Sequence, residues 1–386
     1  MRLLPKADRR VRLGHSWVFS NEVDTAKTPL TAFEPGDFAT IQDARGQPVG
    51  IGYVNPNALI CARILTSNVR AVIDERWFAQ RIRRALELRE RIYTSPHYRL
   101  IFGESDGIPG LVADRFGEVI VAQLNTAGIY RRRDTIVHAL REVTGVQNLL
   151  LTSAGSIRAL EGIPASQEEI GDLPDDLRVE ENGIHLVAPL RGGQKTGFFF
   201  DQRDNRARLA RYVPGRDVLD VYSYVGAWGI VAAKFGAASV TCVDSSATAL
   251  EYAARNAEIN RCNMRLEEGN AVEVMERYYA QQQRFDVVIV DPPAFVKRRK
   301  DVAVGERLYE RVNRAAIRLV RENGTLVACS CSHHMSLEHL QRAILRAAKA
   351  EGRRPQILEQ HRQPPDHPVQ PAMPETEYLK AFFVRL

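Results

Sequence analysis

Val218-Leu-Asp-Val-Tyr-Ser-Tyr-Val-Gly-Ala-Trp-Gly-Ile230 runs from a short apolar strand through a turn carrying Gly226 and Gly229 into a helix, so a ligand can approach the backbone closely there. The next apolar run, Val240-Thr-Cys-Val-Asp, ends at Asp244, about 20 residues beyond the turn, where a carboxylate accepts hydrogen bonds from ribose hydroxyls. A glycine turn alone also serves as a tight connection that caps a helix. Its pairing with Asp244 is what points to a nucleotide-like ligand. The turn lacks the G-x-G-x-x-G order, and Asp220 would repel a pyrophosphate at the helix N-terminus. A ligand without phosphate and with a cationic or amine end is favoured over NAD, and S-adenosylmethionine (SAM) is such a ligand.

Downstream of this turn, apolar runs alternate with helical spacing. Ala247–Asn260, Phe285-Asp-Val-Val-Ile-Val-Asp, the helix near Leu308–Val320 and Gly324-Thr-Leu-Val-Ala-Cys-Ser-Cys-Ser follow one another, which predicts a doubly wound parallel sheet. Tyr378-Leu-Lys-Ala-Phe-Phe-Val-Arg-Leu suits a final strand. Upstream, Asn182-Gly183 signals a tight hairpin, and the polar, Pro- and acid-rich stretch Pro164–Asp176 reads as a linker. Before it, a helical pattern from Asp74 to Tyr93 and another near Thr135–Val143 alternate with strand-like runs. Residues 1 to about 72 are short alternating runs broken by Pro35-Gly36 and Arg45-Gly46. The expected division is 1–72, β-rich; 73–177, α+β; and 178–386, the α/β sheet.

Composition agrees with a folded chain of two or three domains. Of the 386 residues, 45% are apolar and 26% charged, which excludes collagen-like, disordered and coiled-coil classes. No run approaches the roughly 20 apolar residues that span a bilayer, so a cytoplasmic location and no membrane partner are expected. Five cysteines without C-x-x-C spacing argue against a disulfide framework or structural zinc, and no metal is expected. The net charge of +6 is concentrated, since residues 1–100 carry 16 Lys and Arg against 10 Asp and Glu. That asymmetry points to nucleic acid. Lys6, Arg9, Arg10 and Arg12 precede Trp17 and Phe19, which suits phosphate contact and base stacking by RNA. The Arg81–Arg91 helix reads equally well as a solvated face. Oligomeric state is not legible, and a homodimer is left open.

Three further strand ends carry chemistry. Glu268-Gly-Asn-Ala271 places Asn270 where it could bond an adenine amine. Asp291-Pro-Pro-Ala-Phe295 stiffens the end of the fourth strand, which can hold the Asp291 carboxyl against the polar edge of a base at the carboxyl side of the sheet. Ala328-Cys-Ser-Cys-Ser332 ends the fifth strand with Cys331 nearest that edge. Most cysteines are inert packing, which fits Cys61, Cys242, Cys262 and Cys329. Cys331 is read as a nucleophile, because cytosine C5 becomes nucleophilic only after a thiolate adds to C6.

At these residues the chain resembles the ribosomal RNA large subunit methyltransferase I family, over essentially its whole length. Gly103-Glu-Ser-Asp-Gly-Ile-Pro-Gly-Leu-Val-Ala-Asp-Arg-Phe-Gly117, Lys195-Thr-Gly-Phe-Phe-Phe-Asp-Gln-Arg-Asp-Asn-Arg206, the DPPAF and SCS segments and Asp366-His-Pro368 carry the resemblance. It implies an α/β protein whose C-terminal class I (Rossmann-like) methyltransferase sheet is preceded by a small β-rich PUA-like RNA-binding domain and an α+β middle domain. It also implies 5-methylcytosine formation in 23S ribosomal RNA, free or in an assembling large subunit, with SAM as cofactor. By the same resemblance Phe199, Gln202, Asp220, Tyr222, Ser223 and Asp244 contact SAM, with Gly226 in the turn, and Asp291 borders both cofactor and base. An Asp is more usual where Asn270 stands, so weaker adenine binding is expected, through the amide carbonyl. The implied mechanism is covalent: Cys331 adds to cytosine C6 while Asp291 stabilises N3, C5 takes the methyl group, and loss of the C5 proton expels the thiol. The DPPAF loop offers no second cysteine to assist release. His333 and His334 are candidates to depress the Cys331 pKa. Two other readings remain: methylation of a purine exocyclic amine, which needs no cysteine, and a noncatalytic RNA-binding assembly factor that keeps SAM as a structural ligand.

Overall fold

The computed structural model describes residues 1–386 except Ala154, Gly155, Gln194, Lys297 and the side chains of Ser156 and Ile157. Its contacts divide the chain into two compact units. One comprises Met1–Leu177, Leu190–Phe200 and Pro365–Thr376, and the other Arg178–Pro189, Asp201–Pro364 and Glu377–Leu386. Within the first unit residues 1–62 keep a core of their own, Tyr53 and Leu65 join the core of the α+β region, and two later segments group with both.

In the first unit, an antiparallel four-stranded sheet has the order Trp17–Phe19, Ile60–Thr66, Pro48–Val54, Asp37–Gln42. Tyr53 and Leu65 leave that sheet to join the core of the neighbouring α+β region. The Tyr53 hydroxyl donates to the Pro109 carbonyl at 2.9 Å, and its ring lies where a Cβ on Gly128 would sit, at 2.2 Å. The second sheet runs His97–Phe102, Leu111–Phe116, Val119–Leu124, Asn148–Ser153, Ser166–Ile170. Its last strand lies within the stretch read as a linker. Ser-Gln-Glu-Glu-Ile pairs on one side only, with Asn148–Ser153, and a polar edge strand looks like a loop in sequence. Helix Glu75–Ile92 covers this sheet with Trp77, Phe78, Ile82 and Leu86. Asp74 caps it by accepting the Trp77 N–H at 2.9 Å, a contact worth about 1 kcal/mol.

Buried ion pairs tie the two returning segments to this unit. Arg89, with no exposed surface, forks onto Asp106 at 2.7 Å through both nitrogens and donates to the Asp366 carbonyl at 2.8 Å. The Arg99 N–H meets Asp366 Oδ2 at 3.0 Å, and the Arg99 guanidinium meets Asp114 at 2.5 and 3.0 Å. Thr196 donates to the same Asp114. The Asp366 marker and the first half of the Lys195–Arg206 marker therefore serve this unit.

The second unit is built on a seven-stranded sheet. In chain order its strands are β1 (Asp217–Val221), β2 (Ser239–Asp244), β3 (Arg265–Glu268), β4 (Phe285–Val290), β5 (Val320–Ser330), β6 (Gln356–His361) and β7 (Lys380–Arg385). They lie in the order 3-2-1-4-5-7-6. β1 to β5 are parallel; the Val- and Leu-rich runs of β1 and β4 are those of strands covered on both faces, while the edge strand β3, Arg-Leu-Glu-Glu, is mostly polar. β7 is the expected last strand, but it runs antiparallel to β5 and β6, so the sheet is mixed rather than wholly parallel. Helices α1 (Ala227–Lys234), α2 (Ala247–Ile259), α3 (Ala271–Ala280), α4 (Val302–Leu319) and α5 (Leu337–Ala350) fill the crossovers. A hairpin, Asp176–Glu181 with Ile184–Pro189, turns through Asn182 and Gly183 at φ of 53° and 74°, the left-handed pair a type I′ turn requires.

Candidate active site

The ends of β1, β2, β4 and β5 converge at the carboxyl edge of the sheet. After β1, Tyr222 and Tyr224 take left-handed φ values of 66° and 51°, and Gly226 one of 77°. Bulky residues held there store strain that the surrounding structure must offset. The Tyr222 and Ser223 N–H groups donate to the Val243 carbonyl at 2.9 and 3.1 Å, clamping the loop to the end of β2. At Gly229 a Cβ would come within 2.4 Å of Cys242 Sγ, so this glycine is needed for helix-to-strand approach.

Asp244 completes the loop by accepting the Tyr224 N–H at 2.8 Å and the Ser246 N–H at 3.0 Å, one on each oxygen. It stays half-buried, with lone pairs to spare for a diol. Ser223 Oγ is buried and has no hydrogen-bond partner among the described residues. An orphaned hydroxyl, a strained turn and a carboxylate at the end of β2 fit a ribose-bearing cofactor with an amino-acid tail.

Three expected cofactor contacts have other duties. Asp220 has no exposed surface. Its Oδ2 accepts the Gly229 N–H at 3.0 Å, closing the first turn of α1, and the Cys242 thiol at 3.8 Å. Burial pushes its pKa up to about 8, with Asp291 and Asp244 adding repulsion, which favours the neutral form and weakens the expected repulsion of a phosphate. Gln202, also buried, donates to Asp291 Oδ2 at 2.9 Å and accepts from Asn205 at 2.7 Å; it orients Asp291. Asn270 caps α3, with Oδ1 accepting the Val272 and Glu273 N–H groups at 3.0 and 3.4 Å. That carbonyl is fully used, which leaves the amide N–H groups, donors rather than acceptors, for an adenine. Phe199 belongs to the first unit, where it lies under the Lys195 ammonium at 4.8 Å.

Asp291 follows β4. Trp228 Nε1 donates to the same Oδ2 at 3.2 Å, so one oxygen is fixed and the other is left to the partly exposed rim. Burial raises its pKa to about 6, Asp201 repels it further, and the bonds from Trp228 and Gln202 and the charge of Arg206 pull back. Phe295 packs on Tyr309 with ring centroids 4.9 Å apart. Beside β4, β5 ends at Ser330, and Cys331 stands one residue beyond it, half-buried, with Sγ 3.9 Å from the Pro292 carbonyl. Cys329 is buried in the strand, and burial holds its thiol well above the ordinary value. His333 directs Nδ1 toward the Glu377 carbonyl at 3.3 Å, and its ring packs on His334.

Trp228, Asp201, Tyr378 and Lys380 were not found by sequence reasoning. The signals were present: a tryptophan inside the glycine turn, and a lysine within the apolar run Leu379–Val384.

In the first unit the basic cluster is partly committed. Arg10 forks onto Glu22 at 2.8 and 2.9 Å, Arg12 pairs with Asp8 and Asp43, and Trp17 Nε1 donates to Glu104 at 2.8 Å. Lys6 and Arg9 are exposed and form no ion pair among the described residues.

The 3-2-1-4-5-7-6 sheet, with a strained turn after β1 and a carboxylate after β2, defines a class I methyltransferase. Residues 165–385 match the model of the S-adenosylmethionine-dependent methyltransferases, and residues 1–67 that of a PUA-like domain. The protein named ribosomal RNA large subunit methyltransferase I from Pseudoalteromonas atlantica is 34% identical, covering 100% of this chain and 98% of its own. The protein of that name from Yersinia pseudotuberculosis is 36% identical, covering 96% and 95%. A methyltransferase solved in complex with SAH superposes over the full length of both chains with a TM-score of 0.86 at 20% identity. The chain belongs to the ribosomal RNA large subunit methyltransferase I family of SAM-dependent methyltransferases. Among the described residues, no helix is long and apolar enough to cross a membrane.

Proposed function

We propose that the protein methylates C5 of a cytosine in 23S ribosomal RNA through a covalent adduct at C6. The observation that carries this reading is the meeting of Cys331 with the Asp-Pro-Pro loop, where a half-buried thiol lies 3.9 Å from the carbonyl next to Asp291. The names of the relatives supply the RNA class. Bound SAM supplies an electrophilic methyl group. The Tyr222–Gly226 turn and Asp244 would hold it, with the Asn270 amide N–H groups free to donate to an adenine. Cys331 adds as thiolate to C6, which moves electron density to C5. Asp291, titrating near 6, shares a proton with N3 and stabilises the charge that develops there. Methyl transfer to C5 would leave the demethylated cofactor; a water molecule then takes the C5 proton, the C5–H electron pair forms the C5–C6 double bond, and the C6–S pair returns to sulfur as thiolate. Lys6 and Arg9 offer charge to RNA phosphates.

The test is incubation with SAM and 23S ribosomal RNA from a strain lacking the gene, followed by nucleoside mass spectrometry. The expected product is 5-methylcytidine, absent with Cys331→Ala. A methylated purine, or full activity in that variant, would overturn the reading.

A further inference from the structure

A lysine whose side chain is buried and that makes no direct ion pair needs an explanation, since an unpaired ammonium in the interior is costly. Lys380, the first residue of β7, is 4% exposed, and it forms no ion pair among the described residues. Its Nζ donates to the Ser332 carbonyl at 2.8 Å and the Tyr378 carbonyl at 2.9 Å. Those bonds use two of the three protons an ammonium carries. Lys380 also lies opposite Ser330 in the β5–β7 register. The residue before Cys331 and the residue after it are thus both held by Lys380, one through the backbone ladder and one through the amine.

We propose that Lys380 is the positioning residue for Cys331, its buried ammonium serving as the counter-charge that favours the thiolate. The inference rests on the reading of Cys331 as nucleophile. Burial lowers the Lys380 pKa to about 8, against which Glu377 and a Cys331 thiolate raise it. If the thiolate stabilises the ammonium, the ammonium stabilises the thiolate by the same amount, and the two titrate as a pair.

The other charged and titratable groups around the pair do not replace it. Arg362 reinforces the positive field but is paired with Glu377 at 2.9 Å. The Tyr309 hydroxyl is engaged with Ser332 Oγ at 2.9 Å, and burial holds it near 12. Asp291 opposes a thiolate. Asp201 is tied to the Tyr378 hydroxyl at 2.5 Å. Burial, His333, Arg299 and Lys380 keep His334 below its ordinary value, toward the neutral form. The expectation that a histidine depresses the Cys331 pKa gives way to the lysine.

Iodoacetamide alkylation reads the thiolate directly. The full-length protein, without RNA or SAM, is alkylated between pH 6 and 10, and the Cys331 peptide is quantified by mass spectrometry, with the half-exposed Cys262 as internal reference. The wild-type Cys331 profile is expected to inflect below the roughly 8.5 of a free thiol. In Lys380→Met and Lys380→Gln the inflection moves up by about one pH unit, a roughly tenfold slower reaction at pH 7, while Cys262 is unchanged; Lys380→Arg restores most of the rate. A wild-type inflection at or above that of a free thiol overturns the proposal even if no variant folds, as does a Met or Gln profile that superposes on wild type. Alkylation needs no turnover, so either result leaves the nucleophile itself to be judged by Cys331→Ala in the methylation assay.

Discussion

In the first unit the buried carboxylates Asp106 and Asp114 meet arginine forks at 2.5 to 3.0 Å, whereas in the second, among the described residues, Asp220 and Asp291 accept hydrogen bonds from neutral groups: a backbone N–H, a thiol, an amide and an indole. A carboxylate with a bidentate cation is a structural fastener. One that is buried among neutral donors and other carboxylates is raised to about 6 or 8 and can carry a proton at working pH. The same residue type therefore holds distant chain segments together in one unit and sets protonation at the strand ends of the other.

Three variants test that contrast. Arg89→Met leaves Asp106 buried without its cation and frees the Asp366 carbonyl. Loss of such a partner typically costs about 3–5 kcal/mol, so a large drop in the denaturant midpoint is expected. A drop under about 1 kcal/mol would mean that these pairs are not what secures the returning segments. Asp291→Ala should leave the melting temperature nearly unchanged and cut single-turnover methylation about 100- to 1000-fold, the range for a lost general acid. Near-normal turnover would place the proton elsewhere.

Asp220→Asn is the subtlest. Its native pKa near 8 lies above the unfolded value of about 3.9, so between those values the folded state binds more protons than the unfolded one. Stability contributed by the protonated form is complete below about pH 4 and lost as pH rises through 8. The variant should flatten the fall in unfolding free energy between pH 5 and 8. An unchanged slope would show that Asp220 titrates normally.

The sheet of the second unit was legible because β1, β2, β4 and β5 are short apolar runs closed by turn residues, a pattern that needs no long-range information. β6 was not. Gln-Ile-Leu-Glu-Gln-His has neither clean alternation nor an apolar run, and among the described residues its one strand partner is β7. Strand Ser166–Ile170 was hidden for the same reason, its polar residues being compatible with an edge and with a loop. The return of residues 365–376 to the first unit depends on Arg89 and Arg99 finding Asp366 from more than 260 residues away, which no local pattern encodes. At the site, Asp244, Asp291 and Cys331 could be picked out because they end strands. The duties of Gln202 and Asn270 could not, since each depends on which neighbour claims its carbonyl first.

The order 5-7-6 in the sheet, together with the segment at 365–376, has a consequence for synthesis. Domains of a growing chain usually fold in turn, N-terminal first. Here β7 is inserted between β5 and β6, and Asp366 is required by residues near position 90, so neither unit closes until the ribosome has passed residue 365. The first 360 residues emerge as an unfinished molecule with an open sheet edge at β5. A chain abandoned before β7 is made would leave β5 and β6 without the strand that joins them, exposing edges that chaperones and proteases can read.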